Sequence, residues 1–189
     1  MSNKMTTLTV SVVLAREPTE HEWQDFRWRP AEILIGSLDM AAGTVISETN
    51  EQVRFFGGCF EIELHRKETA GYLVNLANEP PVVYVVLRDS DDDLDDDEGP
   101  KGDAGENGMA YRVASVTVTP FEAQDYLDTG EDIVEPLPMP APLVAWLERF
   151  VKEHHVEEAF IKRRRDRLDL KEEKFGQEPL EALRRRLKH

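Results

Sequence analysis

A single cysteine, Cys59, in 189 residues excludes an internal disulfide and any zinc cluster built on cysteine thiolates. That scarcity suits a reducing compartment, so the expected location is the cytoplasm. Long hydrophobic runs are missing too. No window approaches the roughly 20 apolar residues that span a bilayer, and the opening MSNKMTTLTVSVVLAREP alternates instead of holding the unbroken apolar stretch of a signal peptide. No integral membrane segment is therefore expected. The chain also contains no Walker loop, no G-x-G-x-x-G and no G-x-S-x-G. Its glycine pairs, in FFGGCF and DAGENG, are not followed by a phosphate-binding helix pattern.

Positive charge is scarce and unevenly placed. The whole chain has 23 Lys and Arg against 38 Asp and Glu, a net charge of −15. From Val156 onward there are 11 basic and 8 acidic residues, net +3, which leaves 12 and 30, net −18, for everything before it. A body this acidic repels phosphate backbones and anionic lipid, so nucleic acid is not an expected partner.

What is present reads as one domain with an extension. A domain of this length buries roughly 70% of its unfolded surface and needs no metal or disulfide to hold a core. Alternation in TLTVSVVLA predicts a strand over Leu8–Ala15, and FRWRPAEILIG predicts a second, with Pro30 marking an edge or a bulge. Met40 to Asn50 reads as a loop. EQVRFFGG and CFEIELHRK read as two strands of a hairpin, with Gly57 and Gly58 as the turn. ETAGYLVNLAN predicts a short helix presenting Tyr72, Leu73 and Leu76. VVYVVLR predicts a central strand over Val82–Arg88, paired with Met109–Thr119. TPFEAQDYLDTG predicts a helix opened by a capping box of Thr119 and Glu122 and closed by Gly130. EPLPMPAP reads as a stiff, extended connection. From Pro142, the stripe Leu143, Trp146, Leu147, Phe150 and Val151 predicts a helix that covers the sheet. The fold class is therefore α+β, a mainly antiparallel sheet with short helices and a C-terminal covering helix. Residues 1–155 form the domain, 89–108 an acidic mobile loop within it, and 156–189 a charged helical arm.

The acidic run DSDDDLDDDE, from Asp89 to Glu98, puts eight acidic residues in ten. A helix-loop-helix calcium site needs Gly at its sixth position and Glu at its twelfth. Here those positions hold Leu94 and Pro100, and the flanks read as strands, so the run reads as a solvated insertion. Cys59 and His65 share a strand face but stand about 20 Å apart on an extended chain, too far for a nucleophile and its base. Glu61, Glu63 and His65 also share that face. At about 7 Å between neighbours, an ordinary polar sheet face is favoured over a metal site. His154 continues the apolar row of the last strong helix and reads as a half-buried core histidine. The sequence thus offers no catalytic residue set, no cofactor site and no metal site. KRRRDR, from Lys162 to Arg167, carries two readings. One is a contact for an acidic partner, with Phe160, Ile161, Lys162, Arg163, Arg164, Arg165 and Arg167 as its residues. The other is a solvated helix whose arginines pair with Glu158, Asp166 and Asp169.

Several segments together resemble an uncharacterised bacterial family encoded beside molybdenum-dependent formate dehydrogenases. They are VSVVLAREP, WQDFRWRP, ETAGYLVNLANEPPVVYVVLR, VTPFEAQDYLDTGEDIVEPLPMP and HHVEEAFIKRRRDR. The resemblance runs from about Leu8 to Arg167, with the acidic loop and the end after Asp169 matching poorly. It implies a role in formate dehydrogenase production, assembly or attachment, with that enzyme or a co-encoded accessory protein as partner. The expected function is a non-enzymatic accessory protein acting by contact. The alternative is a nucleotide-handling enzyme of molybdopterin guanine dinucleotide cofactor maturation. Enzymes of that kind resemble a parallel-sheet fold whose first strand runs into a Gly-rich loop. Here TVSVVLA runs into REPTEHEW, which has no glycine.

Loop closure changes by only about 0.6 kcal/mol per doubling of length, and removing packed carboxylates relieves repulsion. Replacing Asp89–Asn107 by a short Gly-Ser turn is therefore expected to move the Tm by no more than about 4 °C. Thermal unfolding followed by circular dichroism checks this, and a larger fall would make the run structural.

Overall fold

The computed structural model describes residues 6–20, 25–90 and 109–156. All but the first two residues of the acidic run, and the arm beyond Val156 with Phe160 to Arg165 and Arg167, lie outside the described residues. The chain runs β1 (Thr6–Pro18), β2 (Phe26–Ile35), β3 (Val45–Glu48), β4 (Val53–Leu64), α1 (Thr69–Leu76), β5 (Val82–Asp89), β6 (Tyr111–Thr117), α2 (Pro120–Thr129), β7 (Ile133–Pro138) and α3 (Ala141–His154). A short 3-10 turn, Arg66–Glu68, leads into α1. The fold is α+β and every strand pairing is antiparallel, but the strands divide into two sheets, in the orders β2-β1-β4-β3 and β6-β5-β7.

The two sheets and α3 share one core. Val10, Val12, Leu14 and Ile62 of the first sheet meet Val83, Val85, Leu87 and Val113 of the second, and Leu143, Leu147, Phe150 and Val151 of α3 complete the cluster. The stripe read from the sequence is therefore the buried face of α3, worth roughly 1.5–3 kcal/mol for each large side chain removed from water. β1 is covered on both faces. Its second face carries Ser11, Val13 and Ala15, all buried, and the segment after β2 lies over it. Ser11 Oγ donates to Gly36 O at 2.8 Å and accepts from Leu38 N at 3.2 Å. At one end of the sandwich the Arg16 guanidinium sits over Phe26, Phe55 and Trp28, at 4.6, 5.5 and 5.9 Å from the ring centroids.

The structure corrects several local expectations. Gly57 and Gly58 do not turn the chain, because β4 runs through them without a break. The β1–β4 register shifts there, and Gly58 has φ +121, so the pair forms a bulge. A Cβ on Gly57 would lie 3.1 Å from Val113 Cγ2 and 3.2 Å from Leu14 Cγ, so this glycine also lets the second sheet approach. The stretch read as a loop contains β3, whose four residues are all exposed. On α1 Leu73 faces outward, while Asn75 is fully buried. The EPLPMPAP stretch supplies most of β7, an edge strand beside β5, and is no mere connection. Its Met139 N–H donates to Pro81 O at 2.8 Å, and Leu137 stands opposite Val83. Alternation then points Pro136 and Pro138 away from β5, where a missing N–H costs no ladder bond. Pro30 sits on edge strand β2, beside a register shift in its pairing with β1.

Asp132 precedes β7, with a side chain only 1% exposed. Arg88 of β5 clamps it with two bonds, Nε to Oδ1 at 2.7 Å and Nη2 to Oδ2 at 2.8 Å. Arg88 stands directly opposite Arg112 of β6, so the carboxylate also offsets a cross-strand repulsion. The bonds from Arg88, with the charges of Arg88 and Arg112, hold the Asp132 carboxyl below its ordinary value of 3.8, against the opposing effect of burial. A lowered folded-state pKa contributes stability above the ordinary value, and that contribution is lost as pH falls through the folded value. Asp132→Asn is expected to cost about 2–3 kcal/mol at pH 7, at or below the lower limit of the roughly 3–5 kcal/mol for breaking a buried pair, because Arg88 is partly exposed. Urea titrations should show the gap from the natural protein constant down to about pH 4 and closing below it. A gap that persists unchanged in acid would exclude the charge as its cause.

Candidate functional site

β3 registers only with Val53, Arg54 and Phe55 of β4. Past the glycine bulge no described strand pairs with that edge of β4, and β6 of the other sheet comes alongside. The gap is a cleft of about 270 Å³. Glu61, Glu63 and His65 form one wall, and Ser115, Thr117 and Thr119 form the other. Glu68 and Tyr72 line it from α1 and the turn before it, and Glu122 from the first turn of α2.

Local sequence explains each position. Glu61, Glu63 and His65 stand at alternate positions and so project to one side as the extended chain leaves β4. Ser115, Thr117 and Thr119 repeat the pattern across the gap. Thr119 has extended geometry at φ −101 and ψ 124, and Pro120 starts α2 immediately after it. The expected capping box does not form. Glu122 turns back to the strand instead, and its Oε2 accepts the Thr117 hydroxyl at 2.6 Å. Thr117 Oγ1 in turn accepts from Thr119 N at 3.2 Å. On the opposite side the Tyr72 hydroxyl donates to Glu68 Oε2 at 3.0 Å and accepts from His65 N at 2.9 Å. Two carboxylates are thus each oriented by a hydroxyl on a largely buried residue, and each keeps a second oxygen.

Tyr72 is 1% exposed and packs edge-on against Phe150, with ring centroids 6.1 Å apart. Burial pushes its hydroxyl above the ordinary value of 10.0, and the charges of Glu68 and Glu122 push the same way. It therefore stays protonated near neutrality and serves as a donor, not as a base. Thr119 Oγ1 is buried and makes no hydrogen bond among the described residues. A Cβ on Gly71 would lie 2.8 Å from that oxygen and 3.0 Å from the Phe121 ring, so α1 comes close here because position 71 has no side chain. His65 Nε2 lies 3.8 Å from Glu63 Oε2. Among the described residues no group of three or more His, Cys, Asp and Glu could hold a metal ion.

Cys59 and His65 are not brought together. Cys59 is exposed, with Sγ 3.5 Å from Ser11 Oγ and 3.7 Å from Leu38 O beside the segment after β2, whereas His65 lines the cleft. His154 packs on Phe150 at 4.6 Å between ring centroids, the core position its row implied, and His155 Nδ1 meets Thr69 Oγ1 at 3.1 Å. The sequence reading named Glu61, Glu63 and His65 but not the residues that face them. The sequence signal for the far wall is the run of hydroxyls at alternate positions in SVTVTPFE, leading straight into a helix start.

No helix of the described residues is long and apolar enough to cross a membrane. Neither the curated proteins nor the solved structures contain a match to this chain. A family model does match it, over residues 9–165 of 189, and the chain belongs to that family, described as Protein of unknown function (DUF3305).

Proposed function

We propose that this protein is a non-enzymatic accessory factor for formate dehydrogenase, serving its production, assembly or attachment through protein contact. The observation that carries the reading is the size and sign of the cleft. At about 270 Å³ it falls below the roughly 300–1,000 Å³ typical of small-molecule sites, and its ionisable lining is four glutamates, one histidine and one tyrosine. A guanine dinucleotide cofactor is larger and carries phosphates that such a lining repels. The topology points the same way. β1 is antiparallel to both of its neighbours, and the next described element after it is the strand β2, not a helix whose start could cradle phosphate. Gene context comes from the resemblance of segments such as WQDFRWRP and VTPFEAQDYLDTG to proteins encoded beside formate dehydrogenases. The partner contact is assigned to the arm, where Phe160 and Ile161 precede Lys162, Arg163, Arg164, Arg165 and Arg167 in the sequence. Apolar anchors beside arginines make effective contact centres, and clustered positive charge speeds encounter with an acidic surface.

Affinity purification of the tagged full chain from its native cells, at physiological salt, tests the proposal. Formate dehydrogenase or a co-encoded accessory protein is expected to copurify. Ending the chain after Glu158 should abolish that while leaving cooperative unfolding, and reversing Arg163, Arg164 and Arg165 to Glu should do the same. Loss of neither partner from both variants removes the arm as the contact. Absence of both partners from the full chain removes the accessory role.

A further inference from the structure

The seam where β4 and β6 run side by side leaves two strand edges without a ladder. Among the described residues β4 pairs with β1 along its length but with β3 only at Val53–Phe55, and β6 pairs with β5 alone. The registers fix which backbone groups face the seam. Gly36 N–H donates to Thr9 O, so Thr9 turns its backbone toward β2 and away from β4. Glu61, opposite Thr9, therefore turns its own N–H and C=O away from β1, and Glu63 does the same. His65 stands two residues further along that side, and its N–H is already taken by the Tyr72 hydroxyl at 2.9 Å. On the other sheet Met139 N–H donates to Pro81 O, so Val83 and Val85 face β7 while Tyr84 and Val86 face β6. Their partners Thr117 and Ser115 face back to β5, which leaves the N–H and C=O of Val116 turned into the seam. The two edges run the same way. At the bulge a Cβ on Gly57 would stand 3.1 Å from Val113 Cγ2, and at the far end both chains reach α1, His65 at Tyr72 and Thr119 beside Gly71. A segment antiparallel to β4 is then antiparallel to β6 as well.

We propose that this seam is a strand-addition site, in which a short extended segment of a partner protein, alternating apolar and basic residues, ladders with β4 and β6 at once. Main-chain bonds to an open edge give such a site its affinity, and alternate side chains give its specificity. An extended chain is the guest that fits, because it carries free N–H and C=O groups on both sides, which a helix or a small amine lacks. The walls set the alternation. Ile62, Val116 and Val118 line the cleft and belong to the core, so every second guest side chain is apolar. Glu61 and Glu63 are exposed on the other face of β4, so the side chains between are basic by charge complementarity. The same carboxylates repel an acidic strand such as a second copy of this body would bring. The free stretch of β4 lies between the bulge and the capped His65, so the segment is no longer than Cys59–Leu64. This contact is separate from that of the arm and does not rest on it.

The test is a titration of the 15N-labelled full chain with the capped peptide Lys-Val-Lys-Val-Lys-Val, with amide hydrogen exchange followed in the complex. Exchange at Glu61, Glu63 and Val116 should slow at least tenfold on saturation. A peptide of the same composition in blocks, Lys-Lys-Lys-Val-Val-Val, should bind at least tenfold more weakly. N-methylation of the three lysines, or of the three valines, removes the donors to one edge or to the other, and each should weaken binding at least tenfold without changing charge. In the protein, Glu61→Pro removes a donor that faces the seam and costs no bond to β1. It should unfold cooperatively and lose the peptide at least tenfold; if it does not fold, the methylated peptides decide. Binding that survives both methylations, or is equal for the block peptide, would reduce the contact to bulk charge attraction and overturn the proposal. So would slow exchange at the three amides in the peptide-free chain that is lost on dilution together with a sedimenting dimer, which would make a second copy the occupant. Copurification from cells is read separately, so the accessory role and the seam stand or fall independently.

Discussion

The side-chain amide of Asn75 ties α1 to β5 and β6, two paired strands that no backbone ladder joins to the helix. It is fully buried. Its Nδ2 donates to Val82 O at 2.7 Å and to Val118 O at 2.6 Å, and its Oδ1 accepts from Val82 N at 3.0 Å. One residue of α1 thereby satisfies the backbone at the start of β5 and at the end of β6. Buried peptide groups must find partners, and at this junction a single amide supplies three of them. The placement of α1 follows from it, and with α1 the placement of Tyr72 and Glu68 opposite Thr117 and Glu122. The cleft is therefore a by-product of how a short helix is pinned to the second sheet.

That dependence explains which parts of the fold were legible in the sequence. Strong periodicity sufficed for β1, β5 and α3, where Val10, Val85 and Leu147 are buried as their patterns require. Periodicity misled at α1, because it favours Leu73 over the polar Asn75. Nothing in ETAGYLVNLAN announces that its asparagine bonds a strand reached only after a cis Glu79–Pro80 bond. Glycine misled at β4 for a related reason. Gly57 and Gly58 carry the same local signal whether a chain reverses or merely bulges, and the reason for the bulge is Val113, far away in sequence. Half of the cleft was visible as Glu61, Glu63 and His65 on one strand face. The other half depends on two sheets meeting, which alternation within one segment cannot express.

Charge is handled differently at the two ends of the described fold. At the Arg16 end aromatic faces surround the guanidinium, and Arg29 pairs with Glu17 at 2.6 Å. At the cleft Glu68 and Glu122 are met by hydroxyl donors, and the His65 ring comes no nearer to Glu63 Oε2 than 3.8 Å. Hydroxyl donors fix where a carboxylate points but leave its charge in place. A guanidinium such as Arg88 beside Asp132 does both. The first arrangement keeps a site attractive to cations, and the second closes it.

The prolines of β7 bear on why the strands divide into two sheets. In an antiparallel strand the N–H and C=O of one residue point to the same side. With Pro136 and Pro138 turned away from β5, that side of β7 presents carbonyl oxygens at those two positions and no donor to accompany them. β2 comes alongside β7, yet a strand laid there finds only part of its bonds, so the ladder stops and the sheets meet through side chains, with the charge of Glu135 acting on Arg29 of β2. A seam of missing donors keeps the two halves neighbours without fusing them.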